Sequence, residues 1–261
     1  MPSLDRDLAL AHLLADDADA ITTARFQAVD LHVETKPDLT PVSDADRAVE
    51  EALRRRLERE RPDDAVLGEE YGAQGDGPRR WVVDPVDGTK NFVRGVPVWA
   101  TLVALQAGGE VVVGVVSAPA LGRRWWAAAG TGAWTGPSVH DAHACRVSRV
   151  ATLDDASISY SSLGGWETVG RSSGFLDLLG QAWRTRAYGD FWSYMLVAEG
   201  AVDIACEPEV SLWDLAALTV IVEEAGGRFT DLTGADRADG GSAVASNGLL
   251  HDAALAALAP A

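Results

Sequence analysis

Asp84 and Asp87 stand three residues apart at the end of a short apolar run, in Trp81-Val82-Val83-Asp84-Pro85-Val86-Asp87-Gly88-Thr89-Lys90-Asn91-Phe92. Carboxylates so placed offer the hard anionic oxygens that Mg²⁺ prefers. The backbone N–H groups of Gly88, Thr89 and Lys90 can face an anion if a helix opens there. Metal-assisted hydrolysis of a phosphate ester is the chemistry that unites the two features. Three further acidic clusters, Asp44/Asp46, Glu69/Glu70 and Asp214, stand at junctions between apolar elements. Each has a plainer alternative. Asp46 can be an early-helix acid favoured by the macrodipole, Glu69 and Glu70 solvated loop charges, and Asp214 an N-cap. Asp, Pro and Gly are turn residues as well, so Asp84 to Gly88 can also be only a turn.

A covalent phosphatase is a separate possibility that the spacing excludes. Haloacid-dehalogenase-like enzymes carry Asp-x-Asp-Gly-Thr, where a two-residue step puts both acids on one side of an extended strand. Here the step is three, with Pro85 inside it. That favours a bend around a metal over an aspartyl nucleophile.

The elements that must position these acids follow from periodicity. Leu10, Leu13, Leu14, Ala18 and Ile21 make a helical stripe that Ser3 can cap. Val29, Leu31 and Val33 alternate as a strand would, and Ser43 or Asp44 can cap a helix that turns Val49, Ala52, Leu53 and Leu57 inward and stops near Arg61-Pro62. Ala65 to Leu67 and the run before Asp84 read as strands, with a loop from Tyr71 to Arg80 between them. Trp99 to Gln106 and Val111 to Ser117 flank Ala107-Gly108-Gly109-Glu110 as a hairpin, joined by a third strand at Arg124 to Ala128. Residues 130–143 read as loop.

The second half alternates strand and helix. Strands are expected at Ser157 to Tyr160, near Arg186 to Tyr188, at Val202 to Cys206 and at Ala243 to Ala245. Helices are expected from Phe175 to Trp183, from an Asp190 cap through Val197, from Trp213-Asp214 to Gly226-Gly227, and from Leu249 to Leu258. The chain thus divides into an N-terminal α+β part, 1–146, carrying most of the metal acids, and a C-terminal α/β part, 147–261, carrying Asp214.

The net charge of −17 over 261 residues, with acids spread along the chain, argues against electrostatic binding of nucleic acid. It also repels a phosphate substrate, a problem that bound divalent cations solve locally. Cys145 and Cys206 make no metal-binding spacing and read as buried thiols. The first residues lack a signal-peptide pattern, and no stretch approaches roughly 18 uninterrupted apolar residues. A cytoplasmic protein without membrane association is expected.

Taken together, Gly68-Glu69-Glu70, the Asp84-to-Phe92 run and Trp213-Asp214 resemble, in order, the signatures of the inositol monophosphatase-like family. The likeness extends to Pro41-Val42-Ser43-Asp44-Ala45-Asp46 and Glu224-Ala225-Gly226-Gly227, and so spans nearly the whole chain. It implies a layered αβαβα sandwich of α+β and α/β character, and Mg²⁺-dependent release of phosphate from a small molecule. It further implies two or three Mg²⁺ per site. Glu69, Asp84 and the carbonyl of Val86 would hold one, and Asp84, Asp87 and Asp214 a second, with Asp46 affecting an outer site near Glu69. Asp87, Gly88 and Thr89 would meet the phosphate, while Thr89, paired with Asp46, would orient the attacking water. Two-metal sites activate water and stabilise the leaving oxygen of an in-line displacement. A threonine hydroxyl does not deprotonate water unaided at neutral pH, so its role is to relay orientation toward Asp46.

The substrate must be selected by the second half. Arg186-Ala187-Tyr188-Gly189-Asp190-Phe191-Trp192-Ser193-Tyr194 and Glu207 to Asp214 resemble the histidinol-phosphatase branch of that family, of the actinobacterial type. Histidinol phosphate carries an amine and an imidazole. Asp190, Glu207 or Glu209 could pair with the amine, Trp192 or Tyr194 could cover the ring, and Arg186 belongs to the same candidate set. The plainer readings are Asp190 as a helix cap, Trp192 as core and Glu209 as loop charge. Inositol phosphate, fructose 1,6-bisphosphate and 3′-phosphonucleotides are the alternative substrates, and a catalytically silent ligand-binding protein is the alternative of another class. The nine tryptophans permit an aromatic interface, and a homodimer is expected.

Overall fold

A strand whose consecutive residues are all apolar needs cover on both faces, and Trp81, Val82 and Val83 are all buried. The structure that provides this cover is a computed structural model describing residues 4–37 and 39–260; the Ser3 cap lies outside those residues. Helix α1 (Leu4–Arg25) leads through the short pair β1 (Val33–Thr35) and β2 (Pro41–Ser43) into α2 (Asp44–Glu60). Next come β3 (Ala65–Gly68), β4 (Gly72–Gln74), β5 (Arg79–Asp87), α3 (Thr89–Arg94), β6 (Ala100–Ala107), β7 (Glu110–Ala118) and β8 (Arg123–Ala128). Strands β9 (Ala133–Ser138), β10 (Asp141–Ala144) and β11 (Ser157–Ser159), helix α4 (Ser172–Gln181), β12 (Arg184–Arg186) and α5 (Asp190–Ala198) follow. The chain ends with β13 (Ile204–Glu207), α6 (Leu212–Glu224), β14 (Arg228–Thr230), β15 (Ala243–Ser246) and α7 (His251–Ala257).

An eight-stranded sheet runs β10-β9-β8-β7-β6-β5-β3-β4, and a five-stranded sheet runs β12-β11-β13-β15-β14. Side chains alternate between faces along each strand, and that alternation builds the layers. On the larger sheet Trp81, Val83, Val103, Leu105, Val113 and Val115 pack against Leu10 and Leu14 of α1 and Val49 and Leu53 of α2. The intervening Val82, Leu102, Ala104, Val116 and Trp125 face α5 and α6, which Ala205, Phe229 and Ala245 of the second sheet cover from the other side. Ile158, Ile204, Cys206 and Val244 turn outward against Phe175 and Leu178 of α4 and Ala254 of α7. The result is the expected αβαβα sandwich. Helix α6 is apolar nearly all round because it lies between two sheets.

Four local expectations fail. Val29 is fully exposed and only Val33–Thr35 pairs as a strand, because Phe26, Ala28 and Leu31 are held in turns instead. Gly72–Gln74, read as loop, pairs antiparallel with β3. Within residues 130–143, also read as loop, lie Ala133–Ser138 and most of Asp141–Ala144, two strands that extend the first sheet. Gly136 tolerates this because a Cβ there would lie 2.1 Å from the Asp141 carbonyl. Neighbour pairing overrode weak local patterning in these cases. Finally, Asp190 does not cap α5; Gly189 occupies the N-cap without a side-chain bond.

Gly114 marks the tightest approach of α6 to the sheet. A Cβ there would fall 2.6 Å from both the Ala217 carbonyl oxygen and Val220 Cγ1. Gly114→Val is therefore expected to cost about 1–3 kcal/mol by overpacking. That is a fall in Tm of roughly 2–12 °C for a chain of this size, and an unchanged melting curve would refute the close packing. No helix among the described residues is long and apolar enough to cross a membrane.

Candidate metal and phosphate site

On a regular strand, residues three apart point to opposite faces. Asp84 pairs with Leu102 and Asp87 with Ala100, so three steps on β5 oppose two on β6 and the register shifts between them. This bulge, with Pro85 inside it and its carbonyl accepting from Thr101 Oγ1 at 2.8 Å, returns both carboxylates to one side. Asp214, from the start of α6, joins them. One oxygen from each of Asp84, Asp87 and Asp214 lies within 4.8 Å of the others.

Backbone donors aim each of these acids. Asp84 Oδ1 accepts from the Val86 N–H at 3.0 Å, Asp87 Oδ2 from the Phe191 N–H at 2.7 Å, and Asp214 Oδ2 from the Ser211 N–H at 2.6 Å. Asp214 is thus the third helical residue answering the Ser211 cap, and not itself the N-cap. Asp46 holds the same position behind Ser43, whose N–H and Oγ both donate to Asp46 Oδ2, at 2.8 and 2.6 Å. Ser-x-x-acid at the start of a helix is the signal that announces both.

Thr89 Oγ1 lies 2.9 Å from the Val86 carbonyl and 3.3 Å from Asp46 Oδ1. Its hydroxyl proton is shared between those two acceptors. Gly88 opens α3 at φ +80°, a conformation glycine adopts without strain. A Cβ at Gly88 would also lie 2.9 Å from the Val98 carbonyl and 3.1 Å from Asp190 Oδ2. Glu69 is near the aspartates but outside their close group, and Lys36 Nζ bridges it to Glu70 at 2.8 and 2.6 Å. Glu69, Gly88, Thr89, Lys90, Asp190 and Asp214 line one cavity of about 290 Å³.

The electrostatics follow from burial and crowding. Burial, then the charges of Glu69, Asp87 and Asp214, pushes Asp84 far above the usual carboxylate range. Burial, then Asp190 and Asp214, does the same to Asp87. Asp214 rises to about 6, chiefly by burial. Burial raises Asp46 too, against the hydrogen bonds from Ser43. Burial alone would lower Lys36, but its bonds to Glu69 and Glu70 outweigh that and hold the ammonium high. Carboxylates gathered this closely resist ionisation unless a cation joins them. A donor set made only of oxygens fits a hard divalent cation such as Mg²⁺.

A second cavity of about 160 Å³ adjoins the first through Asp190 and Asp214, and is lined also by Asp87, Phe191, Tyr194, Glu207, Glu209 and Val210. Asp190 adopts φ +46°, uncommon for a residue other than glycine. Its Oδ2 accepts from Asn91 Nδ2 at 3.1 Å and its N–H donates to Ser161 Oγ at 3.0 Å. Ser161 Oγ in turn donates to Glu207, whose Oε2 accepts from Tyr194 O–H at 2.7 Å. Burial pushes Glu207 up to about 7, against those two hydrogen bonds. Asn91 and Ser161 were not singled out by sequence reasoning; no local pattern marks a residue whose partner lies on another element.

Two proposed contacts are not brought to either cavity. Arg186 is exposed on edge strand β12 and bonds the Thr185 carbonyl. Trp192 is partly buried, packs against the core and meets the Tyr188 ring edge-on at 5.5 Å. The helical period turns Trp192 away from the face that carries Asp190 and Tyr194. A further cavity of about 260 Å³, lined among others by Arg80, Glu223 and Arg237, lies at the far end of α6.

Known proteins share this architecture. Residues 3–261 match the family described as the inositol monophosphatase family. A histidinol-phosphatase of Streptomyces coelicolor is 63% identical over 97% of this chain and 96% of its own length. A histidinol-phosphatase of Mycobacterium tuberculosis is 60% identical over 97% of each. Among solved structures, an inositol monophosphatase from Zymomonas mobilis superimposes with a TM-score of 0.86 at 32% identity, over 99% of both chains. The extragenic suppressor protein suhB of Bartonella henselae gives 0.88 at 29% identity, over 97% of this chain and 98% of that one.

Proposed function

The chain belongs to the inositol monophosphatase family, and from that premise we propose that it hydrolyses L-histidinol phosphate to L-histidinol and phosphate, a step of histidine biosynthesis. The observation that carries the substrate is identity above 60% to a named histidinol-phosphatase, extending over almost the whole of both chains. The reaction class is supported separately by the carboxylate cluster of buried Asp84 and half-buried Asp87 and Asp214.

We assign Glu69, Asp84 and the Val86 carbonyl to one Mg²⁺ and Asp84, Asp87 and Asp214 to another. Bound Mg²⁺ supplies the Lewis acidity that polarises the phosphoryl group and makes water a competent nucleophile. The protein's own residues do the rest. Gly88 and Thr89, on the cavity wall, meet the phosphate through backbone N–H groups at the opening of α3. Thr89 Oγ1, between Asp46 Oδ1 and the Val86 carbonyl, orients the attacking water, and Asp46 is the base to which its hydroxyl can pass a proton. Asp190 and Glu207, on the wall of the adjoining cavity, take the cationic amine, with Tyr194 holding Glu207 in place.

Phosphate release from histidinol phosphate by the purified protein is expected to stop on treatment with EDTA and to return on addition of Mg²⁺. Hydrolysis indifferent to chelation would overturn the metal-assisted reading.

A further inference from the structure

Glu50 lies one turn beyond Asp46 on α2, on the same helical face, and its side chain is wholly buried. Its carboxylate does not reach the aspartate cluster. Instead Oε2 accepts from the Glu70 N–H at 2.7 Å, and Oε1 from the Tyr71 N–H at 3.2 Å and from Arg54 Nε at 2.8 Å. Arg54 Nη2 also donates to the Gly72 carbonyl at 2.5 Å. Glu50 and Arg54 thus bind the main chain of the β3–β4 turn, the segment that carries Glu69. Gly68 completes the arrangement. A Cβ there would lie 2.0 Å from Glu50 Oε1 and 2.2 Å from its Cδ, so the carboxylate fills the space any other residue would need.

A buried ion pair is rarely the most stabilising way to fill a core, because desolvation offsets its attraction. What this pair does provide is fixed geometry. One end of α2 holds Asp46, and the same helix, through Glu50, grips the turn bearing Glu69, whose N–H bonds the Val83 carbonyl next to Asp84 at 3.3 Å. We propose that Glu50 is a positioning residue for the metal site: it sets Glu69 relative to Asp46 and Asp84, and Gly68 is glycine to admit it. This rests on the reading of Glu69 as a metal ligand.

Glutamine at position 50 keeps the shape but turns an amide NH₂ toward donors that need an acceptor. Glu50→Gln and, independently, Gly68→Ala are expected to weaken Mn²⁺ binding to the full-length protein by about 10–100-fold, the usual effect of removing a group that orients a ligand. Binding is read from the spectrum of free Mn²⁺ by electron paramagnetic resonance, without turnover. With Mg²⁺ saturating, kcat should stay near wild type while the half-activating Mg²⁺ concentration rises by the same factor. Glu69→Gln is measured alongside. If it leaves Mn²⁺ affinity unchanged, the ligand reading fails. If it weakens binding while Glu50→Gln and Gly68→Ala bind as wild type, the positioning role fails even should their metal-free Tm fall. Should Glu50→Gln not fold, Gly68→Ala, which crowds the same carboxylate from the other side, decides the matter by the same readout.

Discussion

Asp87→Asn and Asp214→Asn are each expected to lower kcat/KM for histidinol phosphate by about 10³-fold or more, with the fold intact. Asparagine preserves the size of the side chain and an oxygen able to accept from the Phe191 or Ser211 N–H that aims each aspartate. What it removes is one negative charge from a cluster assembled within 4.8 Å. A divalent cation's Lewis acidity is worth several kcal/mol at the transition state, and each ~1.4 kcal/mol is tenfold in rate. The metal-free variants should melt no lower than the parent, because the lost charge was repelled by its neighbours. Steady-state kinetics over a Mg²⁺ titration, beside thermal melting in EDTA, checks both halves. Near-normal turnover at saturating Mg²⁺ would sink the ligand assignment, and a collapsed melting curve would recast these aspartates as structural.

The second large effect concerns choice of substrate. Against inositol phosphate, fructose 1,6-bisphosphate and a 3′-phosphonucleotide, the protein should clearly prefer histidinol phosphate, because of the four only that ester carries a cationic amine for the role proposed for Asp190 and Glu207. Asp190→Asn and Glu207→Gln should each cost roughly 30- to 4 × 10³-fold in kcat/KM for histidinol phosphate, the 2–5 kcal/mol typical of truncating one partner of a buried charge pair. Hydrolysis of an ester without an amine should change far less.

Glu207 adds a pH signature. Its carboxyl is pushed up to about 7 in the folded chain, so the folded state retains a proton that the unfolded chain releases near pH 4 to 5. The stability this contributes is fully present below the unfolded pKa and is lost as pH rises through about 7. Glu207→Gln should therefore gain stability relative to the parent as pH rises through that window. An ammonium pairs with the ionised form, so KM for histidinol phosphate should fall over the same window while KM for an amine-free ester stays level. A preference for any of the other three substrates, or equal losses on every ester, would defeat the assignment of this cavity to the amine.

Much of the fold was legible because burial leaves a period. The stripe from Leu10 to Ile21, the paired runs around Gly108-Gly109 and the apolar stretch after Asp214 each named their element. Illegible parts owed their structure to a neighbour. Ala133–Ser138 and Asp141–Ala144 form strands because β8 offers an edge, and Val29 is exposed because no strand among the described residues pairs with it. The same division runs through the site. Arg186 and Trp192 sit in an informative stretch but line neither cavity, while Ser161 and Asn91 meet Asp190 from elements that sequence does not connect to it.

Sequence by itself determined the chemistry: which acids are present, that Asp84 and Asp87 are three apart, and that this spacing is wrong for an aspartyl nucleophile. These are properties of residue type and order, and need no coordinates. Tertiary structure alone decided that three apart becomes side by side, because the cross-strand register against β6 inserts a bulge between them. It also decided that Asp214 arrives from α6 and that Glu50 grips the Glu69 turn. Those outcomes depend on groups distant along the chain, held together by a core packed on both faces of each sheet.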